Sequence, residues 1–249
     1  MSAVPHIEIR DLTMAYGNFV IQRDLNFVVN KGDIFVIMGG NGCGKTTLMR
    51  ALIGLQRPAK GSVFYDGEDF WNVEPEQQAL LKRRLGIMFQ GGALWSSLTL
   101  AENVALPLKE YTALSPRRIA EVVSFKLALV GLAGFEEFYP AELSGGMKKR
   151  AGLARAMALD PDILVIDEPS SGLDPLTASR LDDLILELRD SLETTIVVIT
   201  HELASILGIG TNSVFLDTHT HTMINTGNPK EAVASGEAKV RHFLTRGKA

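Results

Sequence analysis

The glycine-rich stretch from Gly39 to Thr47, Gly-Gly-Asn-Gly-Cys-Gly-Lys-Thr-Thr, constrains the fold of this chain more than any other segment. It follows an apolar run at residues 34–38 and leads into Leu48 and Leu52, an order that predicts a strand, a loop and a helix. The spacing fits the phosphate loop G-x-x-x-x-G-K-[ST], a motif that carries weight only in this context. The sequence therefore predicts that the chain binds a nucleotide.

The residue types of this loop suit a nucleoside triphosphate. Glycines adopt positive φ and carry no side chain, so successive backbone N–H groups can form a nest for phosphate oxygens. We expect Lys45 to reach the β and γ phosphates, and the Thr46 hydroxyl to ligate Mg²⁺. The predicted ATP-binding loop consists of Gly39, Gly40, Asn41, Gly42, Cys43, Gly44, Lys45, Thr46 and Thr47.

Length and composition favour one large α/β domain with a full core, since the chain has 249 residues, 46% of them hydrophobic. A net charge of −4 supplies no general basic field, so we expect no nucleic-acid partner. The single cysteine, Cys43, excludes a disulfide framework and suits a reducing compartment. We interpret it as a small loop residue rather than a redox site.

The chain shows neither a secretory signal at its first residues nor an apolar segment of membrane-spanning length. We therefore expect any association with a membrane to depend on a partner.

Alternating polar and apolar residues predict two strands of a half-exposed antiparallel sheet at 7–10 and 19–27, with a turn at 15–18. A further short strand is predicted at 62–65, followed by an Asp-Gly turn, and a buried strand at 85–89.

Strand patterns are absent from residue 91 to about 160, where helical spacing predicts an inserted helical subdomain. Continuous apolar strands resume at 163–166 and 195–199, with an amphipathic helix between them. This alternation predicts a parallel sheet covered on both faces. From Thr211 we expect a hairpin-like stretch and terminal helical turns.

Two carboxylates, Asp167 and Glu168, end the strand predicted at 163–166, at the sheet edge where open α/β folds bind ligands. Asp167 is placed to hold Mg²⁺ and Glu168 to polarise an attacking water. Because Pro169 follows, an ordinary turn is the alternative that the phosphate loop upstream disfavours.

The segment Leu143-Ser144-Gly145-Gly146-Met147 precedes a predicted helix that Ser144 can cap. It resembles the signature of the ATP-binding-cassette (ABC) ATPases. Their other motifs follow in family order, and the resemblance runs from about residue 7 to 236. It implies a P-loop NTPase fold of the α/β class, with a mixed-sheet core, an N-terminal antiparallel part and an inserted helical subdomain. A single domain is expected over 1–249, with a RecA-like core at about 1–90 and 161–236, the helical subdomain at about 91–160 and a C-terminal tail at about 237–249.

The resemblance assigns a role to each matching residue. Tyr16 corresponds to the aromatic that stacks on adenine, Gln90 to the glutamine that senses Mg²⁺ and the γ-phosphate, and Asp174 to the loop that communicates across a dimer. His201 corresponds to the switch histidine that acts with Glu168 in catalysis. The implied Mg²⁺ ligands are Thr46, Gln90 and Asp167.

Each of these residues also has a simpler interpretation. Tyr16 can be a surface turn residue, Gln90 an exposed strand end and His201 a satisfied core histidine. The joint order of the motifs favours function. The charge run at 148–150 we interpret as a solvated helix face.

In the ABC family two cassettes pair head to tail, which implies a homodimer. Ser144, Gly145 and Gly146 of one subunit would then cap the γ-phosphate held by Lys45 of the other. ATP binding would close the dimer, and hydrolysis would reopen it.

The lack of membrane spans implies a peripheral subunit whose integral-membrane permease is another chain. The segment 91–99 follows Gln90, where the family receives the permease's coupling helix. Leu94 and Trp95 suit such a contact, and core packing is an equally weighted alternative for both residues.

The segment 88–104 resembles most the ATPases of MCE (mammalian cell entry) systems, which include Mla-type transporters of phospholipid between the inner and outer membranes of Gram-negative bacteria. Met147 and the terminal Val240-Arg241-His242-Phe243-Leu244 agree with that resemblance. It implies an MCE-domain substrate-binding protein and a permease as partners, admits a small cytosolic subunit, and implies a location on the cytoplasmic face of the inner membrane.

Two rival functions stay open, namely another importer or lipoprotein-release ATPase, and a non-transport ABC ATPase acting on soluble partners. His219 and His221 could share one strand face and bind a metal, but the threonines around them favour an exposed turn.

Overall fold

A computed structural model describes residues 4–246, with the side chains of residues 225 and 226 left undescribed. Two sheets and a set of helices make up the chain. The strands are β1 (Ile7–Tyr16), β2 (Phe19–Val29), β3 (Ile34–Gly39), β4 (Lys60–Tyr65), β5 (Glu68–Asp69), β6 (Leu85–Met88), β7 (Ile163–Asp167), β8 (Thr195–Ile199), β9 (Asn212–Leu216) and β10 (Met223–Thr226). The helices are α1 (Lys45–Leu52), α2 (Pro75–Arg83), α3 (Leu100–Tyr111), α4 (Pro116–Leu129), α5 (Gly145–Ala156), α6 (Pro175–Leu192), α7 (Leu203–Ile209), α8 (Pro229–Ser235) and α9 (Ala238–Leu244).

The central sheet has the strand order β10-β9-β3-β8-β7-β6. Its strands from β9 to β6 run parallel, and β10 pairs with β9 in the antiparallel sense. Every residue of β3, β7 and β8 is buried, as expected for parallel strands covered on both faces. A second, antiparallel sheet has the order β2-β1-β4-β5.

Alternate residues of the central strands face two separate cores, because side chains in a strand point in turn to opposite faces. In β7, Ile163 and Val165 pack with α1 and the antiparallel sheet. Leu164 and Ile166 pack on the other side with the helices α3 to α6. The central sheet is thus the middle layer, and its carboxyl edge carries the loops that bear the predicted site residues.

The helical insertion agrees with the prediction, since strands end at Met88 and resume at Ile163. Helices α3, α4 and α5 occupy the region between them and share one hydrophobic cluster with α6. In the described residues 4–246, none of the helices combines the length and the apolar character needed to cross a membrane.

Several predicted boundaries were wrong. Strand β1 continues past residue 10 to Tyr16, so the turn is confined to residues 17 and 18. The alternation breaks at Asp11, which has a positive φ of 48° beside a register shift in the pairing of β1 with β2. The strand predicted as buried at 85–89 ends at Met88 and is only half buried, because β6 lies at the sheet edge.

The C-terminal region forms the predicted hairpin and helical turns, but it is more tightly integrated than a tail. Strand β9 joins the central sheet beside β3. Helix α9 packs Val240 and Leu244 against β3 and α7, and Phe243 meets Phe215 edge-on at 5.2 Å between ring centroids. Lys239 of α9 also forms an ion pair with the carboxylate of Asp217.

Replacing Leu244 with alanine tests this packing. Leu244 is 3% exposed, and loss of a buried leucine side chain costs about 2–5 kcal/mol. We expect the low end, about 2 kcal/mol, because a peripheral helix can relax around the gap. Denaturant unfolding measures the change in the free energy of unfolding. The matched control is His242→Ala at an exposed position of the same helix, which should change that free energy by no more than about 0.5 kcal/mol. Equal midpoints for both variants would contradict the packing.

Candidate nucleotide site

The phosphate loop connects the buried strand β3 to α1 at the carboxyl edge of the central sheet. Gly39 ends β3 with a φ of 148°, and a Cβ there would lie 2.6 Å from the Leu216 carbonyl oxygen. Gly44 precedes α1 in the left-handed conformation, and no side chain caps the helix. Both positions therefore require glycine, and they leave the N–H groups that begin α1 available to an anion.

Lys45 is buried, and its ammonium donates to the carbonyl oxygens of Gly39 at 2.9 Å and Gly40 at 3.1 Å. These bonds hold the Lys45 side chain against the loop that would also bind phosphate. Other loop residues face solvent, namely Gly40, Asn41, Gly42 and Thr46. The structure thus presents an open loop backed by a buried cation.

Cys43 packs inside this loop with 2% exposure, near where a Cβ on Gly39 would be. Burial raises the pKa of its thiol, although the Lys45 ammonium opposes the shift. A buried, protonated thiol is inert, which supports the interpretation of Cys43 as a small loop residue.

Tyr16 stands at the end of β1, 49% exposed, beside α1. Its hydroxyl donates to Gln56 Oε1 at 2.9 Å and accepts from Arg50 at 3.4 Å. These bonds fix the hydroxyl end and leave the ring accessible near the loop that follows β3. An accessible aromatic ring next to a phosphate site can stack on a base.

Asp167 and Glu168 end β7 and are 7% and 9% exposed. Burial raises the pKa of Asp167, the Glu168 carboxylate raises it further, and the cations Lys45 and Lys149 oppose these effects. Two neighbouring buried carboxylates favour a bound cation, which would relieve both burial and repulsion. The carboxylate pair and the phosphate loop share the carboxyl edge of the central sheet, because β3 and β7 flank β8 and all three strands run parallel.

Glu168 is held in an uncommon conformation, with a φ of 49°. Its carboxylate lies 2.7 Å from His201 Nδ1, and its N–H donates to the Ile199 carbonyl at 2.8 Å. The structure thus joins the two residues predicted to be catalytic, from the ends of the adjacent strands β7 and β8. Strained backbone at such a position is characteristic of functional sites.

Lys149 was missed, because the charge run at 148–150 was interpreted as solvated. Its side chain is only 5% exposed, and its ammonium donates to the Glu168 carbonyl at 2.7 Å. Burial lowers the pKa of Lys149, while the carboxylates of Glu168 and Asp167 oppose the shift. Helical spacing alone could not reveal that Lys149 is buried, since Glu168, which follows β7 and bonds the lysine, lies 19 residues further along the chain.

The signature residues begin α5. Ser144 is the N-cap, accepting from the Met147 N–H at 3.3 Å, and Gly145 is exposed beside it. Gly146 is buried against α6, where a Cβ would lie 2.7 Å from Thr177 Cγ2. The phosphate loop instead packs against β2 and β9. The signature and the loop therefore belong to different parts of the chain, as a site completed by a second subunit requires.

Asp174 caps α6, where its carboxylate accepts from the N–H groups of Leu176 and Thr177 at 3.1 and 3.0 Å. It thereby sets the direction of the loop that follows Glu168. The family motif had assigned Asp174 only to communication across a dimer, so this helix-capping role was not predicted from the sequence.

Gln90 is exposed and opens a 3₁₀ turn directly after β6. The next residues form a loop held by the buried Asn103, whose amide donates to three carbonyls and accepts from the Trp95 N–H at 2.8 Å. Leu94 and Trp95, for which core packing and a permease contact were the two alternatives, differ in exposure. Leu94 packs against the helical core, whereas Trp95 remains 63% exposed.

The donor set fits Mg²⁺ held jointly with phosphate oxygens. In residues 4–246, no group of three or more His, Cys, Asp or Glu side chains is arranged to hold a metal alone. Mg²⁺ is commonly bound through one or two carboxylates plus phosphates and waters, and Asp167 and the exposed Thr46 can supply such ligands. His219 lies in an exposed turn, and His221 bonds the Ile21 carbonyl at 3.1 Å, so the predicted turn is confirmed.

Comparison with known proteins places these motifs in a family context. The family model described as ABC transporter matches residues 22–171. The probable ribonucleotide transport ATP-binding protein mkl of Mycobacterium tuberculosis is 39% identical over 238 residues, 96% of this chain. This chain spans 66% of that protein's length. The intermembrane phospholipid transport system ATP-binding protein MlaF of Haemophilus influenzae is 37% identical over the same share of this chain and is covered over 89% of its own length.

Solved structures agree in fold. The cassette MJ0796, a dimer in a post-hydrolysis state bound to ADP and Pi, matches with a TM-score of 0.80 and 26% identity, covering 89% of this chain and 98% of that one. The cbiO1 protein of Clostridium perfringens, part of the cbiONQ ABC transporter complex, matches with a TM-score of 0.85 and 27% identity, covering 97% of this chain and 96% of that one. The α/β fold with a mixed sheet is thus confirmed.

Replacing Tyr16 with alanine tests the adenine contact. Stacking of a base on an aromatic ring contributes about 1–3 kcal/mol, so we expect ATP affinity to fall roughly tenfold. Discrimination between ATP and CTP should also fall, because the smaller cytosine ring stacks less strongly than adenine. Equilibrium binding of fluorescent ATP and CTP analogues measures both. The matched control is Tyr16→Phe, which keeps the ring, loses the bond to Gln56, and should bind like the unmodified chain. Unchanged selectivity in the alanine variant would contradict the role.

Proposed function

Because the chain belongs to the ABC transporter family, we propose that it is the ATP-hydrolysing subunit of a transporter that moves phospholipid between membranes. The observation that carries the catalytic part is the Glu168 carboxylate, held 2.7 Å from His201 at the sheet edge that also bears the phosphate loop. The lipid part is supported by the name of MlaF, a relative at 37% identity over 96% of this chain.

In the proposed reaction the loop at 39–47 binds the triphosphate of ATP and Lys45 neutralises its terminal phosphates. Bound Mg²⁺ would supply a Lewis acid that offsets charge on the phosphate oxygens, and Thr46, Asp167 and Gln90 would hold it. Glu168 accepts a proton from the water that attacks the γ-phosphorus, and His201 orients that carboxylate. The bond from the γ-phosphorus to the β–γ bridging oxygen breaks, and ADP and phosphate leave. Tyr16 stacks on the adenine.

A single chain leaves the γ-phosphate open on one side. We propose that a second copy closes it, with Ser144, Gly145 and Gly146 at the start of the partner's α5 donating to the phosphate. The dimeric MJ0796 cassette bound to ADP and Pi supports this arrangement. Two ATP molecules would be held in the interface, with Asp174 and its loop in contact across it.

The partner in the membrane would be a permease that docks at an apolar groove. This groove, of about 400 Å³, runs between α1, α2, β6, α3 and α5, and Leu55 and Tyr111 on it are 64% and 51% exposed. Arg155 lines it and also donates to the carbonyls of Gly92 and Ala93, which links the groove to the Trp95 loop. The basic rim, Lys82, Arg83 and Arg155, suits a permease segment that carries an acidic side chain.

By the resemblance of segment 88–104 to the ATPases of MCE systems, an MCE-domain protein would complete the transporter, and this chain would lie on the cytoplasmic face of the inner membrane. The name of the mycobacterial mkl relative favours a second candidate, ribonucleotide transport.

Purification from native membranes in detergent, followed by identification of the copurifying chains, tests the assembly. ATP-driven transfer of labelled phospholipid in proteoliposomes, with labelled ribonucleotide in parallel, decides the cargo. A purely soluble complex would contradict transport.

The Glu168→Gln variant tests the catalytic assignment. It removes the proton acceptor and leaves the phosphate loop intact, so turnover should fall on the order of 100-fold or more while ATP affinity is retained. Unhydrolysed ATP should then hold the dimer closed. Phosphate release and light scattering with ATP and Mg²⁺ measure these effects. Near-normal turnover would refute the role of Glu168.

The Trp95→Ser variant tests the permease contact. Loss of an exposed aromatic anchor at an interface typically costs roughly 2 kcal/mol, about a 30-fold weaker association. We expect less permease to copurify, while ATP hydrolysis by the isolated chain stays unchanged. The matched control is Phe125→Ser, an aromatic residue that is 55% exposed on α4 rather than on the loop that bears Trp95. An equal loss with both variants would show that the Trp95 surface has no special role.

A further inference from the structure

Lys149 occupies a position that the proposed reaction does not yet use. Its side chain is 5% exposed on the inner face of α5, and an ammonium group at such a depth is costly unless it is paired. A methionine would fill the same space without that cost, so the charge itself requires a reason.

The partner of this charge is the backbone of the proposed general base. The Lys149 ammonium donates to the Glu168 carbonyl at 2.7 Å, on a residue whose φ is 49°. Five hydrogen bonds among the described residues hold Glu168. Its N–H donates to Ile199, its carboxylate bonds His201 and Thr200, and its carbonyl accepts from Lys149 and, at 3.4 Å, from the Ser171 N–H. Of these five, the Lys149 bond is the one that comes from the helical subdomain.

The same helix begins with the signature residues. Ser144 caps α5, and Lys149 follows five residues later, roughly 7 Å along the helix axis. If Ser144 contacts the nucleotide of the partner subunit, as in the proposed function on which this step rests, one short rigid helix touches both active sites of the dimer.

We propose that Lys149 is a positioning residue that holds the backbone of Glu168 from the signature helix, and so couples the nucleotide captured at one site to the general base of the other. When the partner's nucleotide engages Ser144, α5 is held in place, and the bond from Lys149 keeps the Glu168 turn fixed. Hydrolysis at each site then depends on closure at the other.

The full chain with Lys149→Met tests this coupling. We expect kcat to fall on the order of 10- to 100-fold, as misplacement of a catalytic group does, with KM for ATP changed by no more than about twofold. The ATP-bound dimer should accumulate, as expected for Glu168→Gln. Lys149→Arg should recover most of the turnover, because its guanidinium can also donate to the carbonyl.

Lys148→Met is the matched control, since its side chain lies one position away on the same helix and is only half buried. It should turn over ATP at the unmodified rate. Ser144→Arg provides the opposite reference, because damage to the signature should prevent the dimer from forming. If Lys149→Met does not fold, Lys149→Leu, which likewise carries no hydrogen-bond donor, is measured in its place with the same expected result.

Normal turnover in Lys149→Met would overturn the proposal. So would slow turnover without an ATP-bound dimer, because that result would place Lys149 in support of the signature. A Lys149→Met, Glu168→Gln double variant slower than Glu168→Gln alone would also overturn it, since residues acting as one unit are not additive. If Glu168→Gln itself neither slows hydrolysis nor accumulates a dimer, the proposed function has failed instead.

Discussion

Burial of the parallel strands β3, β7 and β8 on both faces is the constraint on which the rest of the structure depends. Every residue of these strands is buried, so exposed polar residues can occur only in the loops that follow or precede the strands. At the carboxyl edge that geometry brings together the phosphate loop after β3, the carboxylates after β7 and His201 after β8. Residues more than 150 positions apart thus meet because adjacent parallel strands end side by side.

The buried charges at this edge oppose one another within the chain. Asp167 and Glu168 face two buried lysines, one from α1 and one from α5. Lys45 is held by loop carbonyls, which a phosphate can replace as partners of the ammonium. Lys149 is buried as well, but its bond goes to the Glu168 carbonyl, which keeps its ammonium beside the carboxylates. One lysine is therefore suited to binding phosphate and the other to placing the proposed general base.

Helix α5 connects the structure in two directions. Ser144 and Gly145 at its start are exposed, where the proposed dimer would place them against the partner, while Lys149 one turn later is buried against the end of β7. Gly146 and Gly152 permit close contact with α6 and with the loop after Gln90. Because that loop also bears the exposed Trp95 and is bonded by Arg155 of α5, the proposed permease contact and the nucleotide site share this helix.

The sequence by itself determined the features that depend on local chemistry. These include the glycine loop, where positive φ and a following helix suffice, the apolar parallel strands, the Ser144 cap, and the motif order that identifies the family. Only the tertiary structure decided which side chains another element covers. It buried Lys149 and left Trp95 exposed, made β6 an edge strand, and placed β9 in the central sheet. Periodicity reports how a segment presents its faces, but burial depends on distant segments that pack against those faces, and no local pattern records them.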